Sequence, residues 1–216
     1  MMALKAALFD LDGTLLDSLP LITSTFQKAF KQFNIPWGNG DVVKWIGRPL
    51  VEIARHFAGN ERWEEFINLY QSIYAVDHDC YTRLYPGAIE TLAGLKQEEV
   101  HLGIVTSKRR PATMRSLEFL RLTDLFNVII TANDVARHKP DPEPVLKALE
   151  ILDISPDNAV FVGDSPFDIA SGKRAGVYTV GVTWGMADSE ELKRCKPDEL
   201  LDDWKGLHNF FITNKF

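Results

Sequence analysis

The sequence predicts an α/β protein, a doubly wound parallel sheet that carries a small inserted helical domain. Three observations predict it. Short apolar runs rich in β-branched residues, of a length suited to strands buried on both faces, recur along the chain. Between them, apolar residues return at helical spacing. From about residue 18 to residue 83 the strands drop out and only helical spacing is left.

The first strand is KAALFD, 5–10, whose apolar run ends abruptly at Asp10, with Asp12, Gly13 and Thr14 close behind. Helices follow over 19–33, 40–46, 50–58 and 61–76, entered through DSLP and left through HDCYTRLYPG. Helical spacing without strands, bracketed by turn-forming connections, reads as a domain hung on two chain crossings, which make a natural hinge. The α/β core is therefore assigned to 1–17 and 84–216, and the helical insertion to 18–83. Beyond the insertion, helices over 88–98, 110–121, 142–152 and 167–176 alternate with strands over 101–107, 127–133, 158–164 and 177–184. A sheet built this way binds its ligands beyond the carboxyl ends of its strands. The last segment, DELLDDWKGLHNFFITNKF at 198–216, offers a short edge strand and a closing helix.

Composition narrows the function. The 216 residues are 45% hydrophobic and 25% charged, a globular balance, and a net charge of −6 disfavours nucleic acid and anionic membrane as partners. Cys80 and Cys195 are far apart and lack CxxC spacing, so they read as reduced thiols. The N-terminal apolar run is too short for a signal peptide, and no later run could span a bilayer. The expectation is a cytoplasmic protein, a monomer or weak homodimer, with a small-molecule substrate.

The strand ends carry the chemistry. Asp10 and Asp12 follow the first strand, Thr106 and Ser107 end the second, Lys139 lies beyond the third, and Asp164 and Asp168 follow the fourth. A parallel sheet brings these positions to one edge. Carboxylates so crowded call for a divalent cation, and hard oxygen ligands favour Mg²⁺. Asp10, rigid at the strand tip, is the candidate nucleophile toward phosphorus, and Asp12 the candidate acid and base. Gly13 allows a close turn with N–H groups near the phosphoryl oxygens; Thr106 and Ser107 can donate to those oxygens, and Lys139 can stabilise their charge. In the insertion, Arg48 of GRP is a candidate for gripping the non-reacting end of a substrate. SGKRAG, 171–176, lacks the preceding glycine and strand of a P-loop and reads as a helix end. The five histidines lack metal-ligand spacing, and Trp37, Trp45 and Trp63 read as core of the insertion.

DLDGTLLDS, IVTSK, KPDPEP and GDSPFD, in this order, resemble the four motifs of the haloacid dehalogenase (HAD) superfamily, and the likeness covers essentially the whole chain. The insertion is similar to the C1 cap of phosphoglycolate phosphatase, pyrophosphatase and β-phosphoglucomutase relatives. The resemblance implies a HAD Rossmann-like core, with Asp10 as nucleophile, Asp12 as acid and base, Thr106 and Lys139 as phosphate binders, and Asp164 as metal ligand. Asp168 matches the last acidic position and joins Asp10, Asp12 and Asp164 in the expected Mg²⁺ set. Dehalogenases of the superfamily typically lack the acid that Asp12 supplies, so phosphoryl transfer is favoured. Mutases resembling β-phosphoglucomutase usually read DGV and carry a cap histidine; this chain reads DGT, and SLPLITSTF has no histidine. The implied activity is a phosphoglycolate phosphatase-like hydrolysis through an aspartyl phosphate, with a mutase, or a sensor of phosphorylated metabolites, as the alternatives.

Overall fold

Ala6–Phe9 forms the first strand, β1, and all four residues are buried, as a run without a polar face requires. This computed structural model describes residues 4–213, so the parts of the core assignment at 1–3 and 214–216 lie outside it. Five further strands follow: β2, His101–Val105; β3, Val128–Ile130; β4, Ala159–Gly163; β5, Tyr178–Val182; and β6, Glu199–Leu201. They form one parallel sheet in the order β3-β2-β1-β4-β5-β6. The chain winds outward from β1 in one direction, then restarts at β4 in the other. The crevice beyond β1 and β4 is therefore the topological switch point. Register aligns the ends, with Phe9 opposite Ile104 on one side and Val162 on the other.

Alternation along the strands supplies two apolar faces. Ala7, Phe9, Leu102, Ile104, Val160 and Val162 pack with Leu92, Leu117, Leu207 and Phe210. These last belong to helices α4 (Ala88–Gln97), α5 (Arg110–Phe119) and α9 (Trp204–Thr213), numbered after three helices of the insertion. Ala6, Leu8, Val105 and Phe161 face the other way, onto Val145, Leu149 and Ala175 of α6 (Glu143–Leu152) and α7 (Pro166–Ala175). Gly176 closes α7 in the left-handed conformation, φ 79°, in keeping with SGKRAG as a helix end. A short helix, α8 (Ser189–Cys195), is additional to the elements expected from the sequence. Asp188 caps it by accepting from Glu191 N–H at 2.7 Å.

Between β1 and α4 the regular elements are all helical: α1 (Leu19–Phe33), a 3₁₀ turn (Asp41–Trp45), α2 (Leu50–Ala58) and α3 (Trp63–Tyr81). Phe26, Phe30, Phe66 and Tyr70 give this unit an aromatic core of its own, joined by Trp37, Trp45 and Trp63. The segment 40–46, expected as an α-helix, is the 3₁₀ turn. Helix α3 runs on to Tyr81, beyond the expected 76, so the exit connection is shorter. The two connections lie side by side: Asp17 N–H donates to Arg83 O at 2.9 Å and Tyr85 N–H to Leu15 O at 3.1 Å.

Candidate active site

The Asp10 amide extends the sheet ladder by donating to Val162 O at 2.9 Å, which fixes its carboxylate at the switch point. Lys139, from the loop between β3 and α6, reaches it: Nζ donates to Asp10 Oδ1 at 2.8 Å, Asp168 Oδ1 at 2.6 Å and Val105 O at 3.2 Å. Asp164 leaves β4 and is held from two sides, by Thr14 Oγ1 at 2.8 Å on Oδ1 and by Met186 N–H at 2.8 Å on Oδ2. Asp10, Asp164 and Asp168 are buried, and each places an oxygen within 4.8 Å of the other two.

Such crowding has an electrostatic cost. Burial pushes the Asp10 carboxyl up to about 7; Lys139 opposes this and Asp168 adds to it. Burial, then Asp168 and Asp10, hold Asp164 well above the carboxylate range, against the donors Met186 and Thr14. Burial also disfavours a charged Lys139, but Asp10 and Asp168 outweigh it and keep the ammonium protonated. Three carboxylates and one ammonium leave a deficit of two positive charges. An all-oxygen donor set with that deficit fits a hard divalent cation.

Three of the expected site residues are placed as follows. The Asp12 carboxylate, expected among the metal ligands, is not in the triad: Ser18 Oγ at 2.6 Å and Lys108 Nζ at 2.9 Å hold it elsewhere. At Gly13, expected to allow a close turn, the N–H donates to Leu16 O at 2.9 Å. The value of this glycine is the missing side chain, since at φ +88° a Cβ would run into the Asp164 carboxylate. Asp168 sits in the triad with both oxygens engaged. Oδ1 takes Lys139, and Oδ2 takes the Ser165 N–H at 3.0 Å in the capping box that starts α7. Asp168 therefore orients Lys139 and the helix, and any contact with a cation would compete with these donors.

A cavity of about 410 Å³ lies between the helical insertion and the sheet edge, within the usual range for small-ligand sites. Asp10 and Asp12 line it, and Thr106 and Ser107 lie beside them. The Thr106 hydroxyl accepts from Lys108 N–H at 3.2 Å, which leaves its own proton to donate. Ser107 Oγ is buried with no hydrogen-bond partner among the described residues, a cost of about 1–3 kcal/mol that a ligand oxygen would remove. Arg48 also lines the cavity; its guanidinium lies 4.7 Å from the Trp45 ring and 4.8 Å from the Phe167 ring, and it pairs with Glu52 at 3.5 Å. It thus joins the insertion to α7 as well as facing the cavity.

Several participants are not apparent from the sequence alone. Lys108 stands within IVTSK without an assigned role, although its place after Thr106 and Ser107 puts it at the same sheet edge. Thr14 gives the same signal, being next to Gly13. Met186 and Gly185 carry none: one contributes only a backbone N–H, and the other only room, since a Cβ there would overlap Asp164.

Comparison with known proteins accords with this geometry. Residues 7–182 match the haloacid dehalogenase-like hydrolases. The chain belongs to this family. It is 35% identical over 206 residues to the pyrophosphatase PpaX of Oceanobacillus iheyensis, covering 95% of this chain and 96% of that one. A crystal structure from Haemophilus somnus, described as a predicted phosphoglycolate phosphatase, superposes with a TM-score of 0.86 at 28% identity, covering 99% of this chain and all of that one. A hydrolase structure from Pseudomonas syringae gives a TM-score of 0.87 at 27% identity, covering 96% and 97%. The HAD-type α/β core and the hydrolase class thus agree with the motifs. No helix among the described residues is long and apolar enough to cross a membrane.

Proposed function

We propose that this HAD hydrolase is a Mg²⁺-dependent phosphatase acting on a small phosphorylated metabolite through a phosphoaspartate on Asp10. One observation carries the reading: among the described residues, Asp10 alone belongs to the buried acidic triad and also lines the cavity. It is where a cation site and a substrate site meet. Asp10 and Asp164 would hold the Mg²⁺, with Asp168 behind them; when bound, the ion neutralises phosphoryl charge and aligns the reactants.

The side chains supply the rest. The Asp10 carboxylate attacks phosphorus, and the bond to the leaving oxygen breaks as that oxygen takes a proton from Asp12. Water then attacks the phosphoaspartate, giving its proton to Asp12, so that phosphate leaves and both carboxyl groups return to their starting state. Thr106 and Ser107 donate to the phosphoryl oxygens, while Lys139 keeps the attacking carboxylate in place. No histidine of the described residues lines the cavity, which favours water over a sugar hydroxyl as the final acceptor.

The walls also bear on the substrate. Arg48, Arg109 and Arg115 line the cavity; Arg48 is paired with Glu52 and Arg115 with Asp79 at 3.1 Å, whereas Arg109 has no acidic partner among the described residues. This favours a substrate with a second anionic group, as the relatives' names, pyrophosphatase and phosphoglycolate phosphatase, also suggest. Phosphate release from pyrophosphate, 2-phosphoglycolate and 4-nitrophenyl phosphate, with and without EDTA, tests the reading. Asp10→Asn should abolish turnover, and acid-quenched wild-type enzyme should carry phosphate on Asp10. Full activity in Asp10→Asn, or in EDTA, overturns it.

A further inference from the structure

The two oxygens of Asp12 are treated differently. Oδ1 accepts from both Ser18 Oγ and Lys108 Nζ, at 2.6 and 2.9 Å. Oδ2 accepts from nothing among the described residues, and Asp12 lines the cavity. An oxygen already taking two hydrogen bonds, one from an ammonium, has no room for a proton, because donor would meet donor. The proton an acid must carry belongs on Oδ2.

Lys108 has the anchorage to enforce this. Its side chain is 9% exposed, and its three N–H groups reach Asp12 Oδ1, the Tyr74 hydroxyl at 2.8 Å and Ser116 Oγ at 3.4 Å. An ammonium has three donors, so all are committed. Tyr74 is on α3 of the insertion and Ser116 on α5 of the core. Ser116 is backed in turn by His78 Nε2 at 2.9 Å, and His78 Nδ1 by Asp79 at 2.6 Å. Ser116 Oγ also donates to Ala112 O at 3.1 Å, which fixes its hydroxyl on the first turn of its own helix. The ammonium is therefore held from three directions, only one of them the acid itself.

We propose that Lys108 is the positioning residue of the acid and base: it pins Asp12 Oδ1, so that the transferable proton sits on Oδ2, and it keeps this carboxylate apart from the acidic triad two residues away. The proposal rests on the phosphatase reading above. In the first half-reaction the Oδ2–H bond breaks and the leaving oxygen gains that proton, while the charge left behind is shared with Oδ1, where Ser18 and Lys108 already stand. In the second half-reaction a water proton returns to Oδ2.

Leaving-group dependence is the readout that a merely structural role would not move. An alkoxide needs the proton as it departs, whereas 4-nitrophenolate departs without it. The value of kcat/KM reports transfer to Asp10 and excludes the later task of Asp12 with water. On the full chain, Lys108→Met should lower kcat/KM about 100-fold for 2-phosphoglycolate but less than about 10-fold for 4-nitrophenyl phosphate. Lys108→Arg, which keeps a cation on a longer arm, should recover part of the alkyl loss. Tyr74→Phe removes one of the three acceptors and should show the same selectivity at smaller amplitude, which keeps the test open should Lys108→Met fold poorly. Equal losses on both esters, or none on either, overturn the proposal. A wild-type enzyme that releases phosphate from neither ester refutes the phosphatase reading instead, so the two failures are distinct.

Discussion

Replacing Lys139 by Met keeps the apolar stem and removes the charge. Side-chain exposures of 2% for Lys139, 7% for Asp10 and 0% for Asp168 place this ion group out of water. Taking away one partner of a buried pair leaves its anions uncompensated, at a cost of about 3–5 kcal/mol. A chain of this length shifts its midpoint by about 2–4 °C per kcal/mol, so the metal-free variant should melt about 6–20 °C below the wild type. Turnover should fall too, by about 100–1,000-fold, the usual loss when a preorganised donor is removed from the reacting group. Thermal unfolding in EDTA and steady-state kinetics well below the melting range separate the two effects. A variant within about 1 kcal/mol of wild type in EDTA would show that the carboxylates do not depend on this ammonium, refuting the electrostatic account of the triad.

Gly13→Ala should cost more than a helix or turn glycine does elsewhere, because its Cβ would displace the Asp164 carboxylate; phosphate release and divalent-cation affinity measured by calorimetry should fall together, and an intact affinity would contradict the close approach. Without metal, Asp10 with its carboxyl at about 7 binds a proton in the folded state that the unfolded chain, near 3.9, has already released. Its stabilising proton is thus fully present below about pH 4 and lost as pH rises through about 7, so the EDTA-treated protein should be less stable at pH 8 than at pH 5 by this group's contribution. Adding Mg²⁺ at pH 8 should restore stability; a stability unaffected by Mg²⁺ at pH 8 counts against the cation site.

The legible parts of this molecule are those where a residue type serves few purposes. Strands buried on both faces have few polar positions, so β1, β2, β4 and β5 stand out, and the acids that end β1 and β4 stand out against them. Helix α8 is hidden in the sequence because only Leu192 of its seven residues is buried, which gives no apolar period. Among the site residues, identity is readable and geometry is not. Nothing in DLDGT says that Asp12 turns away from Asp164, because that depends on Lys108, nearly 100 residues later. Backbone donors such as Met186 N–H are invisible for a different reason: any residue but proline supplies one.

The separation of Asp10 from Asp12 then has a physical cause. Two carboxylates two residues apart could be held by the same partners. Here each has its own ammonium, delivered by a different strand end: Lys139, beyond β3, at 2.8 Å from Asp10, and Lys108, beyond β2, at 2.9 Å from Asp12. The first lysine also takes Asp168, which ties Asp10 to the buried triad. The second takes Tyr74, which ties Asp12 to the helical insertion and the cavity. On the proposed reading, one carboxylate thus stands beside a cation site, where a nucleophile is wanted, and the other has an oxygen free of protein donors among the described residues, where a proton must come and go. Exchanging the partners would not preserve this, because neither lysine touches the other's carboxylate in the folded chain. On that reading, two separate buried ammonium groups, and not the DxD spacing alone, set these neighbouring acids apart.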